Sequence, residues 1–452
     1  MRRAHNLLVP GPELLCLLNA ASVPAMSSLT SDPPSGSPSL RYAVDQLLSS
    51  AFSRRQPGGP VTSFLFGRPG TPAGLLNLGA EVYFSRVGLM KTALLVRAVG
   101  PSYLRSLTIS KIASRLMDFI KDNFYLLAPH VWGQQFEESY ADRLPDEIKQ
   151  SLTQSLAAST LMSPSAYPTL FPLVPVEVLK DFVADSFFLI KADSLEQSHL
   201  RVAAQLKPAQ FPPFPYWQGR VERPIAWLGV HTPASEAATK ARNAILGAVA
   251  LLPHPRERYQ FSGRKMFGGR ASLENGNASF SYGEPCTPAM MENIKIEAQD
   301  HVWMELLSTK LGEETDEARR EIKALEYFYR AWSLGDSERF PVLFMALDAL
   351  FSNAAQHTQA VADSVSSTMG TVYDVTRLKL LLKMRAAVIH GGAPDVYDAS
   401  NYVKYYEAYE ADPVDDMERI AAQCLRQRVF GGSLSPKPHH YAHILKEHGI
   451  EA

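Results

Sequence analysis

One pair of residues in this chain has the types and spacing for phosphate chemistry. Arg385 and His390 lie in the run LKMRAAVIHGG, with four residues between them. On a helix they would sit about 7.5 Å apart along the axis and about 140° apart around it. They do not share a stripe, yet a long arginine and a histidine at a fraying C-terminal end can still converge. The helix dipole favours the charged form of a histidine placed there. A fixed guanidinium stabilises charge developing on a phosphate, and an imidazole moves a proton near neutral pH. The chemistry this suits is cleavage of a phosphodiester. On spacing alone, a histidine that merely caps its helix is the usual explanation of such a pair.

The elements that must position the pair are helical. Arg319 to Leu334 places Ile322, Leu325, Tyr329 and Trp332 on one helical face. Asp336 or Ser337 then caps a second helix with Phe340, Leu343, Phe344, Leu347, Leu350 and Phe351 on its apolar side. A polar interval rich in Ser and Thr runs from Asn353 to Thr371. The helix bearing the pair follows, Tyr373 to His390, with Arg377, Lys379, Lys383 and Arg385 interspersed among its apolar residues. Gly391-Gly392 ends it, since glycine takes the left-handed conformation without steric cost. Two more helices are expected near Ala399–Glu410 and Val414–Val429. Helices of this length with short links make a bundle.

The stretch from about Ala318 to Phe430 resembles the HEPN superfamily, and within it the Apea-like HEPN branch. Three pieces carry the resemblance: EIKALEYFYRAWSLGDSERFPVLFMALDALFS, then LKLLLKMRAAVIHGG with the look of that family's Arg-x4-His-Gly signature, then the closing MERIAAQCLRQRVF. They occur in the family's order and cover about a quarter of the chain.

The resemblance implies a helical bundle that pairs as a homodimer, with Arg and His of two protomers facing a shared cleft. It implies a metal-independent endoribonuclease in which a ribose 2′-hydroxyl attacks the adjacent phosphate. Arg385 would bind the phosphate and His390 would act as acid or base. Asp348 matches the acidic position of the second helix and would orient Arg385, a solvent-facing or N–H-pairing role being the other reading. Lys379 and Lys383 would contact RNA. No cofactor and no metal is implied. Active relatives carry a polar residue directly after the arginine, where this chain has Ala386, so a bundle that binds RNA or nucleotide without turnover, or serves dimerisation, is the alternative. Relatives of this architecture resemble bacterial defence or toxin-type proteins, which adds an antitoxin or trigger molecule as a further partner.

The rest of the chain reads differently. Its 452 residues suggest two or three domains. The expected class is α+β: a disordered extension over 1–39, a mixed α/β domain over 40–310 acting as sensor or regulator, the helical bundle over 313–432, and a flexible His-rich tail over 433–452. The opening MRR and its leucines loosely mimic a signal peptide, but Pro10, Pro12 and Glu13 interrupt it. An extension before a start at Met26 is the preferred reading. Strands and turns are expected over Ala51–Phe66 and Leu75–Val99, and helices over Leu107–Phe124, Asp146–Leu161 and Val176–Leu189. A strand is expected over Gly219–Val230. Thr232-Pro233 then supplies an N-cap and an N1 proline for a helix through Leu252. Asn275-Gly276 signals a hairpin within Tyr259–Tyr282.

Weaker candidates have plain explanations. Arg256, Arg258, Arg264, Lys265 and Arg270, interleaved with Tyr259, Phe261 and Phe267, would suit single-stranded nucleic acid, though a strand pair with a solvated basic face accounts for them better. Tyr402, Tyr405, Tyr406 and Tyr409 read as packing or a dimer face. His439 and His443 have the i, i+4 spacing of metal ligands but lack acidic or Cys partners.

Composition narrows the classes further. Lys and Arg total 45 and Asp and Glu 46, so bulk charge does not drive nucleic-acid binding and any such contact needs a local basic patch. Cys16, Cys286 and Cys424 are far apart and form no CxxC pair, which is a reduced, cytoplasmic type of usage. No apolar run approaches the roughly 20 residues of a membrane helix, so no membrane partner is expected. The phosphate loop GxxxxGK[ST], the GxSxG elbow and HExxH are absent.

Overall fold

The computed structural model describes residues 39–66, 78–131, 137–200, 223–252, 264–274, 277–290, 292–351, 357–370 and 374–434. The fold is mixed α+β with a helical C-terminal region. The chain divides into two compact units. One comprises the residues up to Val99 with Ile120–Gln154, and the other Gly100–Phe119 with the residues from Ser155 onward.

In the first unit, α1 (Leu40–Ser49) starts on Ser39, whose hydroxyl accepts from the Tyr42 amide at 3.2 Å. Its buried Ala43, Val44, Leu47 and Leu48 face α2 (Arg86–Val99). Strands β1 (Ala51–Phe52), β2 (Val61–Phe66) and β3 (Leu78–Phe84) form an antiparallel sheet in the order β1-β3-β2. The strand reading of Leu75–Val99 thus holds only to Phe84. Leu89, Ala93 and Val96 recur at helical intervals and are buried together, and that period decides the segment. Helices α3 (Ile109–Asp122), α4 (Phe124–Val131), α5 (Tyr140–Arg143) and α6 (Asp146–Ala158) follow in the chain, the division between units falling within α3 and α6.

The second unit is built on a six-stranded antiparallel sheet ordered β10-β9-β4-β8-β7-β6. Its strands are β4 (Tyr167–Leu173), β6 (Phe182–Val183), β7 (Phe187–Lys191), β8 (Ala226–Thr232), β9 (Gly268–Glu274) and β10 (Asn277–Gly283). A short parallel pair joins β5 (Val176–Val178) to β11 (Ile294–Ile296). Helix α7 (Ala192–Gln197) follows β7. Both faces of the sheet are covered, so its strands read as continuous apolar runs. Leu173, Phe187, Leu189, Ala226 and Leu228 point into one core, while Leu170, Phe188, Ile190 and Trp227 point into another.

This corrects the helical reading of Val176–Leu189. Val176 and Val178 flank Glu177, and Phe187 and Leu189 flank Phe188, so the effective period is two. Thr232 likewise belongs to β8 and is not a cap. Helix α8 (Ser235–Val249) begins after Ala234, and the Thr232 hydroxyl donates to the Ala234 carbonyl at 3.0 Å. The β9–β10 ladder runs in full register from Glu274↔Asn277 to Gly268↔Gly283, as a hairpin requires. Its turn, Asn275-Gly276, lies outside the described residues.

The helical region comprises α9 (His301–Gly312), α10 (Asp316–Trp332), α11 (Asp336–Phe351), α12 (His357–Met369), α13 (Val375–Ile389), α14 (Tyr402–Tyr409) and α15 (Pro413–Phe430). Helix α12 occupies the interval read as polar, because Val361, Ala362 and Val365 form a narrow buried stripe among its serines. No break in packing separates sheet from helices: one hydrophobic cluster runs from Phe171 through Trp303 and Leu307 of α9 to Leu434, across the expected boundary at 310–313.

Two local features hold that core together. Helices α8 and α10 cross so closely that a Cβ on Gly247 would lie 2.2 Å from the Leu325 carbonyl oxygen. At the far side Asp416, 1% exposed, accepts hydrogen bonds from the Tyr405 hydroxyl and the Arg419 guanidinium and pairs with Arg377. Three helices, α13, α14 and α15, are therefore tied to one carboxylate.

Each feature has a measurable consequence. Gly247→Ala is expected to destabilise the protein by about 1–3 kcal/mol, because overpacking against a backbone outweighs the gain in helix propensity of about 1 kcal/mol. Urea unfolding checks this, and a more stable variant would contradict the close crossing. Asp416→Ala should cost about 3 kcal/mol by taking the carboxylate from the half-buried Arg377 and the buried Tyr405 hydroxyl. Arg419→Ala, at a side chain 59% exposed, should cost less than about 1 kcal/mol.

Candidate functional site

Helix α13 carries the candidate pair and is held at both ends. At its start the Asp374 carboxylate accepts from the Thr376 amide at 2.8 Å and from the Tyr409 hydroxyl at 3.0 Å. Those bonds, the backbone one foremost, hold its carboxyl below the ordinary carboxylate range. At its end His390 is the capping residue, its amide donating to the Ala386 carbonyl at 3.0 Å. Gly391 follows with φ +75°, and the Gly392 amide returns to the Ala387 carbonyl at 2.7 Å. The glycine pair stops the helix as its sequence requires. Between the ends, Leu378, Leu381 and Met384 are buried.

Arg385 leans onto α11. Both terminal nitrogens donate to Asp348, Nη1 to Oδ1 at 3.4 Å and Nη2 to Oδ2. The guanidinium carbon lies 5.3 Å from the centre of the Phe344 ring. The side chains of Arg385 and Asp348 keep 22% and 26% of their surface exposed. This two-pronged geometry fixes the guanidinium plane, and the ring adds a cation–π contact. Arg385 Nε is buried with no acceptor among the described residues, and a donor left so costs about 1–3 kcal/mol. Spacing assigns Phe344 to the apolar core; its second role as a platform for Arg385 has no signal in one sequence.

His390 is placed differently. It is exposed, and among the described residues its ring makes no hydrogen bond or ion pair. Measured around α13 from Arg385, His390 falls at about 140°, Lys379 at about 120° and Lys383 at about 160°. Lys379 and Lys383 are exposed. The histidine therefore shares its side of the helix with two lysines, while Arg385 is turned to Asp348. Within one chain the structure brings Arg385 to Asp348 and does not bring Arg385 to His390. Ala386 lies between them in the chain.

The secondary candidates are engaged elsewhere. Phe267 is core at 4% exposure. Arg264 donates to Asn293 at 2.6 Å and Arg270 to Thr239 at 3.4 Å. Arg256, Arg258, Tyr259, Phe261, His439 and His443 lie outside the described residues. Tyr405 is fully buried, whereas Tyr406 is 53% exposed and stacks on Tyr402 with ring centres 6.5 Å apart. No helix among the described residues is long and apolar enough to cross a membrane. No family model matches the chain, and neither a curated protein nor a solved structure matches it.

The Arg385–Asp348 pair is testable by a double-mutant cycle. Asp348→Ala and Arg385→Ala are expected to be coupled by more than about 1 kcal/mol in urea unfolding, above the range of exposed ion pairs. Coupling indistinguishable from zero would mean the two side chains do not hold each other in solution.

Proposed function

We propose that the chain is a HEPN-type, metal-independent endoribonuclease in which Arg385 and His390 act on RNA. The observation that supports this best is the pinned arginine. Arg385 is held by Asp348 and Phe344 while its side chain stays 22% exposed, and the exposed His390 caps the same helix. A preorganised cation costs no reorganisation as charge grows on the phosphate.

In the proposed reaction the ribose 2′-oxygen forms a bond to phosphorus as the bond from phosphorus to the 5′-oxygen breaks. The 2′-hydroxyl proton passes to a base, and the departing 5′-oxygen takes one from an acid. His390 supplies one of these proton transfers. The products are a 2′,3′-cyclic phosphate and a 5′-hydroxyl. Because Arg385 and His390 lie on different sides of α13, the cleft is completed by a second copy, one protomer lending the arginine and its partner the histidine. Lys379 and Lys383 flank His390 and would hold the strand. A cytoplasmic role in bacterial defence or as a toxin-like effector, released by a trigger molecule or restrained by an antitoxin, accompanies this reading.

A second reading is a bundle that binds RNA or nucleotide, or serves dimerisation, without turnover. It is favoured by Ala386 and by the commitment of both Arg385 terminal nitrogens to Asp348.

Incubation of the purified protein with end-labelled RNA in EDTA separates the two. The nuclease reading expects fragments ending in 2′,3′-cyclic phosphate. It expects His390→Ala and Arg385→Ala each to slow their release by about 100-fold or more without unfolding the protein. Cutting by both variants at the wild-type rate rejects the assignment. Binding without fragments favours the second reading.

A further inference from the structure

The exposed side of α10 gathers cations that the Arg385 site does not use. At 3.6 residues per turn, Asp316, Arg319, Arg320, Lys323, Tyr327 and Arg330 fall within one sector of about 100°. The buried residues, Leu325, Phe328 and Trp332 among them, occupy the other side. Tyr327 packs against the core and acts as a spacer, with Lys323 Nζ 4.8 Å and the Arg330 guanidinium carbon 5.5 Å from its ring centre. A ring that holds two flexible cations lowers the ordering cost that ligand binding would otherwise carry. Toward the start of the helix, Asp316, Arg319, Arg320 and Lys323 line an open groove of about 590 Å³, with Ala349 of α11 also in its lining. Ala349 is the chain neighbour in α11 of Asp348, the residue that pins Arg385.

Within that sector four cations stand against one carboxylate, Asp316, although α10 as a whole carries four of each sign. Asp316 pairs with Arg319 at 3.1 Å and Glu326 with Lys323 at 2.8 Å. Arg320 and Arg330 make no hydrogen bond or ion pair among the described residues. Asp316 and Glu317 stand four and three residues before Arg320, and Glu326 four before Arg330, spacings that allow an ion pair, but they pair instead with Arg319, Arg428 and Lys323. Among the described residues Arg320, beside Arg319 near the start of the row, and Arg330, at its far end, keep no such partner. An open groove continued by a cationic stripe suits a chain passing over the surface better than a small molecule, which would need walls on more sides.

We propose that this row binds the phosphodiester backbone of a single-stranded RNA and lays it toward Arg385. The choice of RNA rests on the nuclease reading; the polyanion site rests on the row itself.

The test uses a labelled single-stranded RNA with 2′-O-methyl sugars, which cannot be cut by 2′-hydroxyl attack, and follows binding by fluorescence anisotropy across a salt series. The variant carries Arg320→Glu and Arg330→Glu together. Lys323 is kept, because its removal would strand the buried carboxylate of Glu326. The expected result is a tenfold or greater loss of affinity. The slope of log affinity against log salt should also fall by about 1.4, at about 0.7 for each phosphate no longer neutralised. The matching Arg320→Lys, Arg330→Lys variant keeps the charge and should bind within about threefold of wild type, which separates a charge effect from misfolding. Unchanged affinity and slope in the glutamate variant, or no binding by wild type at low salt, overturns the row. Cleavage of unmodified RNA is read separately. Cutting by wild type with unchanged binding in the variant removes the row and leaves Arg385 and His390 standing. Binding lost in the variant with no cutting by wild type supports the row and removes the nuclease.

Discussion

The helix that carries Arg385 and His390 is held in place by a carboxylate that never meets solvent. Asp416 lies at 1% exposure between the Arg377 and Arg419 guanidinium groups and the Tyr405 hydroxyl. Burying a lone carboxylate would be prohibitive, so its partners come as a set. That requirement draws α13 and α14 onto α15. Arg377 also lies 5.6 Å from the Tyr405 ring centre and 4.8 Å from that of Tyr409, so the first half of α13 has one register available to it. The second half inherits that register, and Arg385, about two turns further on, arrives beside Asp348.

A second constraint is the absence of a side chain. Gly247 lets α8 rest against the backbone of α10, and this is how the six-stranded sheet comes to share a core with the helices. The sheet and the helical region thus share one core within the second unit, and α10 and α11, which carry the cationic row and the pinning carboxylate, belong to it.

The two halves of the candidate site are therefore unlike. Arg385 is paired with Asp348 and lies against an aromatic ring, whereas His390 is exposed at the end of its helix and its ring has no partner among the described residues. Their angular separation around α13 keeps them apart in one chain. The proposed nuclease therefore asks for a second copy to join them.

Much of this is legible in the residues. The capping glycines after His390, the 140° offset from Arg385, the apolar stripes of α10 and α11 and the hairpin of β9 and β10 all follow from period and local stereochemistry, which a single chain states directly. Val176–Leu189 misleads because its strands are short and Phe187–Ile190 is apolar throughout, so the alternation shows only once Phe187 and Leu189 are seen to face one core and Phe188 and Ile190 the other. Helix α12 escapes a reading by pattern because three buried residues among serines make a faint stripe. Tertiary structure alone decides that Arg385 spends two nitrogens on Asp348, that Phe344 lies beneath it, and that Arg320 and Arg330 stay unpaired among the described residues. Those outcomes depend on which helix faces which across the core, a matter of packing between residues far apart in the chain, and no local pattern encodes it.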